Sequence, residues 1–159
     1  MTRDELLASC VPLLDQLAAL SPQDPAACER ALAAVSTADV ESAARLAHAE
    51  GWATPKEAGG VRFGRLAKAS PDTHGFSIDI VEMSGAATGA HTHPNGEFDL
   101  SFPLDGAPRF DGRDGRWVVY PPGSRHVPTV TGGRMLILYF LPGGAIRFEP
   151  DSGARQPGV

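Results

Sequence analysis

Glycine and aromatic residues are absent from the first 50 positions, although the 159-residue chain carries 18 glycines. That absence excludes a turn-rich fold for the stretch, because glycine supplies the positive-φ corners such folds need. Cysteine is almost missing: only Cys10 and Cys28, both in the same stretch. Two thiols in a chain of this size make no disulfide framework and read as buried, reduced side chains. There is no basic stripe. Residues 1–50 set Arg3, Arg30 and Arg45 against eight acidic residues, within a net charge of −5 for the chain. A nucleic-acid partner is therefore not expected. No run approaches the roughly 18 apolar residues of a membrane span, and the longest, Met135–Leu141, suits a buried strand. The opening MTRDELLASC has acidic residues and no apolar core, unlike a secretory leader. A cytoplasmic protein with no membrane partner is expected.

What is present divides at Gly51. Residues 1–51 are rich in Ala and Leu, with Leu6, Leu7, Leu13, Leu14, Leu17 and Leu20 at helical spacing. Pro12 should kink or divide this first helix. Asp24-Pro25 reads as an N-cap with proline at the first helical position, opening a second helix over 26–35. Ser36 and Asp39 suggest a capping box for a third, which Gly51 stops. Residues 52–159 read as about nine short strands punctuated by Gly, Pro and Asn, which implies a sandwich or barrel. Turns are expected at Asn95-Gly96, Asp105-Gly106, Asp114-Gly115, Pro122-Gly123, Gly132-Gly133 and Gly143-Gly144. The fold class is mainly β, a barrel preceded by a short α-helical segment. The helices should pack on its outer face or make a dimer contact.

The chemistry concentrates between Gly85 and His126. His91 and His93 leave the same face of a strand, Pro94-Asn95-Gly96 turns the chain, and Glu97 opens the return strand. His126 follows the corner Pro121-Pro122-Gly123. Three imidazoles and a carboxylate so placed can surround one divalent ion and leave positions open for substrate. His48 and His74 lie off this pattern and read as surface residues. If Glu97 points inward, alternation sends Asp99 and Ser101 inward too, and Phe98, Leu100 and Phe102 the other way. Asp99 then reads either as a proton shuttle or partner of a ligand histidine, or as a hydrogen bonder closing the barrel. Arg62, Arg65, Arg109 and Arg125 lie in the same region, and one facing inward would grip a carboxylate bidentately.

Gly85-AATGA-His91-Thr-His93-PNG-Glu97 and Gly115-RWVVY-Pro121-Pro-Gly123-SR-His126 resemble the two motifs of the cupin family. Two positions depart from them: the closing glycine of the first motif stands two residues late, at Gly106, and Val130 replaces the asparagine of the second. Neither is a ligand. The resemblance implies a double-stranded β-helix (jelly-roll) barrel with a divalent metal, Fe, Mn, Zn or Ni, on His91, His93, Glu97 and His126. The longer strings GWATPKEAGGVRFGRLAK, GAHTHPNGEFDLSF and RFDGRDGRWVVYPPGSRHVPTVTGGRMLILYFLPGGAIRF resemble the 4-hydroxylaminobenzoate lyases of nitrobenzoate degradation, helical segment included. That implies conversion of 4-hydroxylaminobenzoate to 3,4-dihydroxybenzoate and ammonia, with Asp99 and Glu97 as catalytic groups. Arg62 or Arg109 would hold the substrate carboxylate, Phe63, Phe102, Phe110 or Tyr139 would pack its ring, and the enzyme would be a homodimer. A cupin dioxygenase acting on a catechol-like or amino-aromatic ring is the alternative, and a non-catalytic binding cupin the third.

Overall fold

The computed structural model of the protein describes residues 1–149. Thr2 opens helix α1 (Arg3–Ala18): its hydroxyl accepts from the Glu5 amide at 3.1 Å, and the Glu5 carboxylate accepts from the Thr2 amide at 2.7 Å. This reciprocal box satisfies two donors that the first turn leaves free. Pro12 does not divide the helix. It costs one backbone bond, while buried Leu6, Cys10, Leu13, Leu14 and Leu17 hold both halves on the core. Helix α2 (Pro25–Ala33) starts as expected, with the Asp24 carboxylate accepting from the Ala27 amide at 3.1 Å. Helix α3 (Ala38–Ala49) does not form the expected Ser36–Asp39 box. Thr37 is its N-cap, and the Ser36 hydroxyl accepts from the Ala38 amide at 3.4 Å.

The β part comprises β1 (Lys56–Ala58), β2 (Val61–Ala67), β3 (Phe76–Ala86), β4 (His91–His93), β5 (Glu97–Phe110), β6 (Trp117–Tyr120), β7 (Ser124–His126), β8 (Thr129–Pro142) and β9 (Arg147–Phe148). Six strands form one sheet in the order β1-β2-β3-β8-β5-β6, and three form another in the order β7-β4-β9. Every pairing is antiparallel. This is the jelly-roll architecture of a cupin; the hydrogen-bond ladders make two sheets rather than one closed cylinder.

Two expected turns are absent. Asp105-Gly106 lies inside β5 and Gly132-Gly133 inside β8, and the two strands face each other there with Gly106 opposite Gly133. A Cβ on Gly133 would stand 2.2 Å from the Asp105 carbonyl oxygen. The glycines let two backbones pass at a register shift that bends both strands without reversing them.

The large sheet buries both faces. On one, Phe98, Leu100, Phe102, Leu138 and Phe140 join Leu6, Leu13, Leu14, Leu17 and Leu32 in a single core, so the helices cover the outer face. On the other, Val61, Phe63, Val81, Met83, Phe110, Ile137 and Tyr139 form an inner cluster. Helix α2 lies along β6, and its Glu29 carboxylate accepts from the Val119 amide at 3.1 Å. That edge of the sheet is thus occupied by the chain's own helix. Among the described residues no helix is long and apolar enough to cross a membrane. Cys10 and Cys28 are buried and free.

Candidate metal centre

Strand register assembles the site. On the small sheet β4 pairs with β7 so that His91 lies opposite His126 and His93 opposite Ser124. Cross-strand partners share a face, so both pairs present their side chains together. Glu97 arrives from the turn after His93, where the Gly96 amide donates to the His93 carbonyl at 3.2 Å. Gly96 has φ 84°, and a Cβ there would lie 2.8 Å from the Tyr120 carbonyl oxygen. Only glycine lets β5 start this close to β6.

The four ligand atoms of His91, His93, Glu97 and His126 lie within 4.8 Å of one another. His91 Nε2 is 2.8 Å from His126 Nε2, and His93 Nε2 is 2.9 Å from Glu97 Oε2. That second contact lacks hydrogen-bond alignment: His93 Nε2 and both Glu97 oxygens have no hydrogen-bonded partner although His93 and Glu97 are fully buried. Buried polar atoms rarely remain unsatisfied, and convergent unpaired donor atoms suit a divalent cation. Two of the outer nitrogens are tied down. His126 Nδ1 meets Asp111 Oδ2 at 2.6 Å, and His93 Nδ1 meets Ser124 Oγ at 2.9 Å. Asp111 also accepts from the Tyr120 hydroxyl, and from the Thr129 amide at 2.9 Å. Such partners fix ring orientation and leave Nε2 free to ligate.

Electrostatics agree with this arrangement. Burial lowers His91 to about 4, so it is a neutral lone-pair donor at neutral pH. Burial opposes ionisation of Glu97, but His93, Asp99 and His91 hold its carboxyl down to about 2. Asp99 moves the opposite way: burial, and then the Glu97 charge, push it well above the usual carboxylate range. The two neighbouring carboxyls are thus pushed in opposite directions.

Beside the cluster, His91 forms one wall of a pocket otherwise lined by Phe63, Val81, Met83, Tyr139 and Phe148, with Asp79 as its acidic member. Asp79 is buried and takes Arg65 Nε at 2.9 Å. Of the residues expected to bind substrate, Phe63 and Tyr139 line this pocket, and Phe110 lies with them in the inner cluster. Phe102 lies in the helix-facing core, as β5 alternation requires. Arg62 shares its face with Gly64 and Leu66, and its exposed side chain stands 4.0 Å from Glu82. Arg109 is also exposed, 3.8 Å from Asp114. Asp99 is buried two residues from Glu97, on the inner face. His48 pairs with Glu82 at 2.8 Å and His74 with Asp15 at 2.7 Å, both away from the cluster. Sequence reasoning missed Asp111, Tyr120, Ser124 and the Arg65–Asp79 pair. Ser124 carried a signal, the i, i+2 spacing to His126; the rest depend on the register between one strand and the next, which the spacing within a strand does not give.

An antiparallel jelly roll with three imidazoles and one carboxylate converging beside an apolar pocket defines a cupin with a candidate metal centre. The chain belongs to the 4-hydroxylaminobenzoate lyase family (PnbB), whose sequence profile matches residues 31–148. It is similar to 4-hydroxylaminobenzoate lyases of Nocardioides sp. (strain LMS-CY), at 33% identity over 63% of this chain and 64% of that protein, and of Pseudomonas putida, at 32% over 64% and 67%. The chain thus spans about two thirds of the length of these curated relatives. Among solved structures it is similar to an RmlC-like cupin of Ralstonia eutropha JMP134 (18% identity, TM-score 0.43, 62% of this chain and 65% of that one). It is also similar to a salicylate 1,2-dioxygenase of Pseudoaminobacter salicylatoxidans (16%, TM-score 0.40, 69% and 37%).

Proposed function

We propose that the protein is a metal-dependent lyase converting 4-hydroxylaminobenzoate, or a close aromatic hydroxylamine, to 3,4-dihydroxybenzoate and ammonia. The observation that carries this reading is the set of four converging ligand atoms within 4.8 Å, two of whose residues hold unpaired buried polar atoms, beside a pocket of ring-sized apolar side chains. Family membership supplies the substrate class. The reaction balances with water and no external oxidant: the N–O bond breaks and its oxygen leaves as water, one water adds at ring C3, and a second replaces nitrogen at C4 as the C–N bond breaks, so that one water is consumed net, the nitrogen is reduced to ammonia and the ring is oxidised.

His91, His93, Glu97 and His126 would hold the ion, with the metal drawn from Fe, Mn, Zn or Ni. A divalent cation there supplies Lewis acidity toward the N–O group and water. The chain's own residues do the rest. Phe63, Tyr139 and Phe148 sandwich the ring and exclude water. Asp99, buried on the same strand face as Glu97, would give a proton to the departing oxygen or nitrogen and take one back from the attacking water. Asp111 holds His126 in the tautomer that keeps Nε2 unprotonated.

The test is an anaerobic incubation of metal-reconstituted protein with 4-hydroxylaminobenzoate, following ammonia and 3,4-dihydroxybenzoate. Equal yields of both without O₂ are expected. An absolute requirement for O₂ would point instead to a ring dioxygenase, and full turnover after complete metal removal would overturn the mechanism. The same reading takes the protein as a cytoplasmic homodimer acting on a small aromatic carboxylate; light scattering on a sizing column reads its assembly.

A further inference from the structure

The inner face of β2 carries Val61, Phe63 and Arg65. Arg65 is the arginine that strand alternation turns inward, since Arg62 lies on the opposite face and Arg109 is exposed beside Asp114. Its guanidinium meets Asp79 side-on, Nε to Oδ1 at 2.9 Å and Nη2 to Oδ2 at 3.4 Å. The opposite edge, Nη1 with the second Nη2 proton, takes no acceptor among the described residues. A guanidinium with one edge held by a buried carboxylate is fixed in its plane, and the other edge fits a second carboxylate bidentately.

Arg65 also lines a groove with Arg3, Lys56 and Lys68, four cations with Asp79 as the acidic residue. Phe63 and Asp79 are walls of this groove and also of the apolar pocket that ends on His91. A cationic cleft therefore adjoins an apolar slot that reaches the ligand cluster. The register extends the relation across the sheet: Arg65 pairs with Asp79, Asp79 with Tyr139, and Tyr139 with Asp99. Three interstrand steps of about 4.8 Å put the Arg65 backbone roughly 14 Å from that of Asp99. An arginine side chain reaching in from one end and a para-substituted benzene ring together span such a gap. Tyr139, midway, has a buried hydroxyl with no hydrogen-bond partner.

We infer that Arg65 is the carboxylate anchor of this site, gripping the acid of a para-substituted benzoate through its free edge while Phe63 and Tyr139 flank the ring. The inference rests on reading the pocket as the seat of an aromatic substrate. It makes the site selective for an anion para to the reacting nitrogen: an ortho carboxylate would lie near the ligands, and an uncharged ring would leave the guanidinium edge unpaired. The neighbouring cations draw the anion to the groove, and Arg65 fixes its position.

The test needs no turnover. Binding of benzoate and of benzamide is measured by calorimetry on the wild-type protein, R65K, R65M and the double variant R65M/D79N. The double variant removes both members of the pair, so no carboxylate is stranded in the interior. Wild type is expected to bind benzoate at least about tenfold more tightly than benzamide, as a charge-assisted bidentate contact should. R65M and R65M/D79N should lose that preference, with R65K between. Equal binding of benzoate and benzamide by wild type, or an undiminished benzoate preference in R65M/D79N, overturns the assignment. With 4-hydroxylaminobenzoate, R65M should raise KM and hold kcat, and phenylhydroxylamine should show no change in KM. A wild type that prefers benzoate through Arg65 yet releases no ammonia would sink the lyase reading and leave the anchor standing. Turnover with an unchanged KM in R65M would do the reverse.

Discussion

Asp111 does its work at one remove from the ligand cluster. It reaches His126 from the far end of β5, held there by Tyr120 and the Thr129 amide. Removing its charge should let the His126 ring turn without disturbing the core. Asp111→Asn is expected to weaken metal binding by about 10- to 100-fold, read by competitive metal titration, with the thermal midpoint of the metal-free protein little changed. Glu82 shows how titration enters stability away from the site. Burial alone would raise its carboxyl, but His48 and Arg134 more than offset that and bring it below its ordinary 4.5. The folded protein therefore holds fewer protons at Glu82 than the unfolded chain. Its contribution is present above the unfolded value and lost as pH falls through the folded one. Glu82→Gln should flatten the fall of the thermal midpoint on the acid side, below about pH 5, relative to wild type. The ligands themselves were legible because their signals are short: His-x-His fixes one face, and the Asn-Gly turn brings Glu97 back. Asp111 and Arg65–Asp79 were not, because they meet only through the register of strands and turns 14 and 15 residues apart, which no spacing within one strand encodes.

The strands show where the same residues carry two meanings. Asn-Gly, Asp-Gly and Gly-Gly read as turns, and at Asn95-Gly96 the chain does turn, passing from the small sheet to the large one. At Asp105-Gly106 and Gly132-Gly133 identical chemistry builds a paired bulge within two long strands. Glycine signals a backbone that other residues cannot follow, and only the partner strand decides whether the chain reverses or bends. Gly133→Ala should cost about 1–3 kcal/mol in denaturant unfolding, since its Cβ would press on the Asp105 carbonyl from a backbone only glycine favours. The two faces of β5 were legible in full: the alternation of Glu97, Asp99 and Ser101 with Phe98, Leu100 and Phe102 separates site from core. By the same rule Phe102 belongs to the helices, while Phe63 and Phe148, on other strands, line the pocket.

At the scale of the molecule, helices and sheet share one core, with Leu6, Leu13 and Leu32 against Phe98, Phe102 and Phe140. The break in composition at Gly51 marks a change of element and leaves the core continuous. Unfolding should be a single transition, with helical circular dichroism and Trp117 fluorescence coincident; a separate early helical melt would show that the two parts fold apart. Leu13→Ala in α1 should therefore lower the stability of the whole by about 2–5 kcal/mol, read as one shifted denaturant curve. The Glu29 carboxylate on the Val119 amide has a consequence for how these molecules behave at high concentration. A hydrogen-bonding rim is where foreign strands add on, and fibrous polymer grows from there. Here the rim is stoppered by a side chain from the same polypeptide, so loosening α2 would free a growth point, and clumping would begin before the barrel itself came undone.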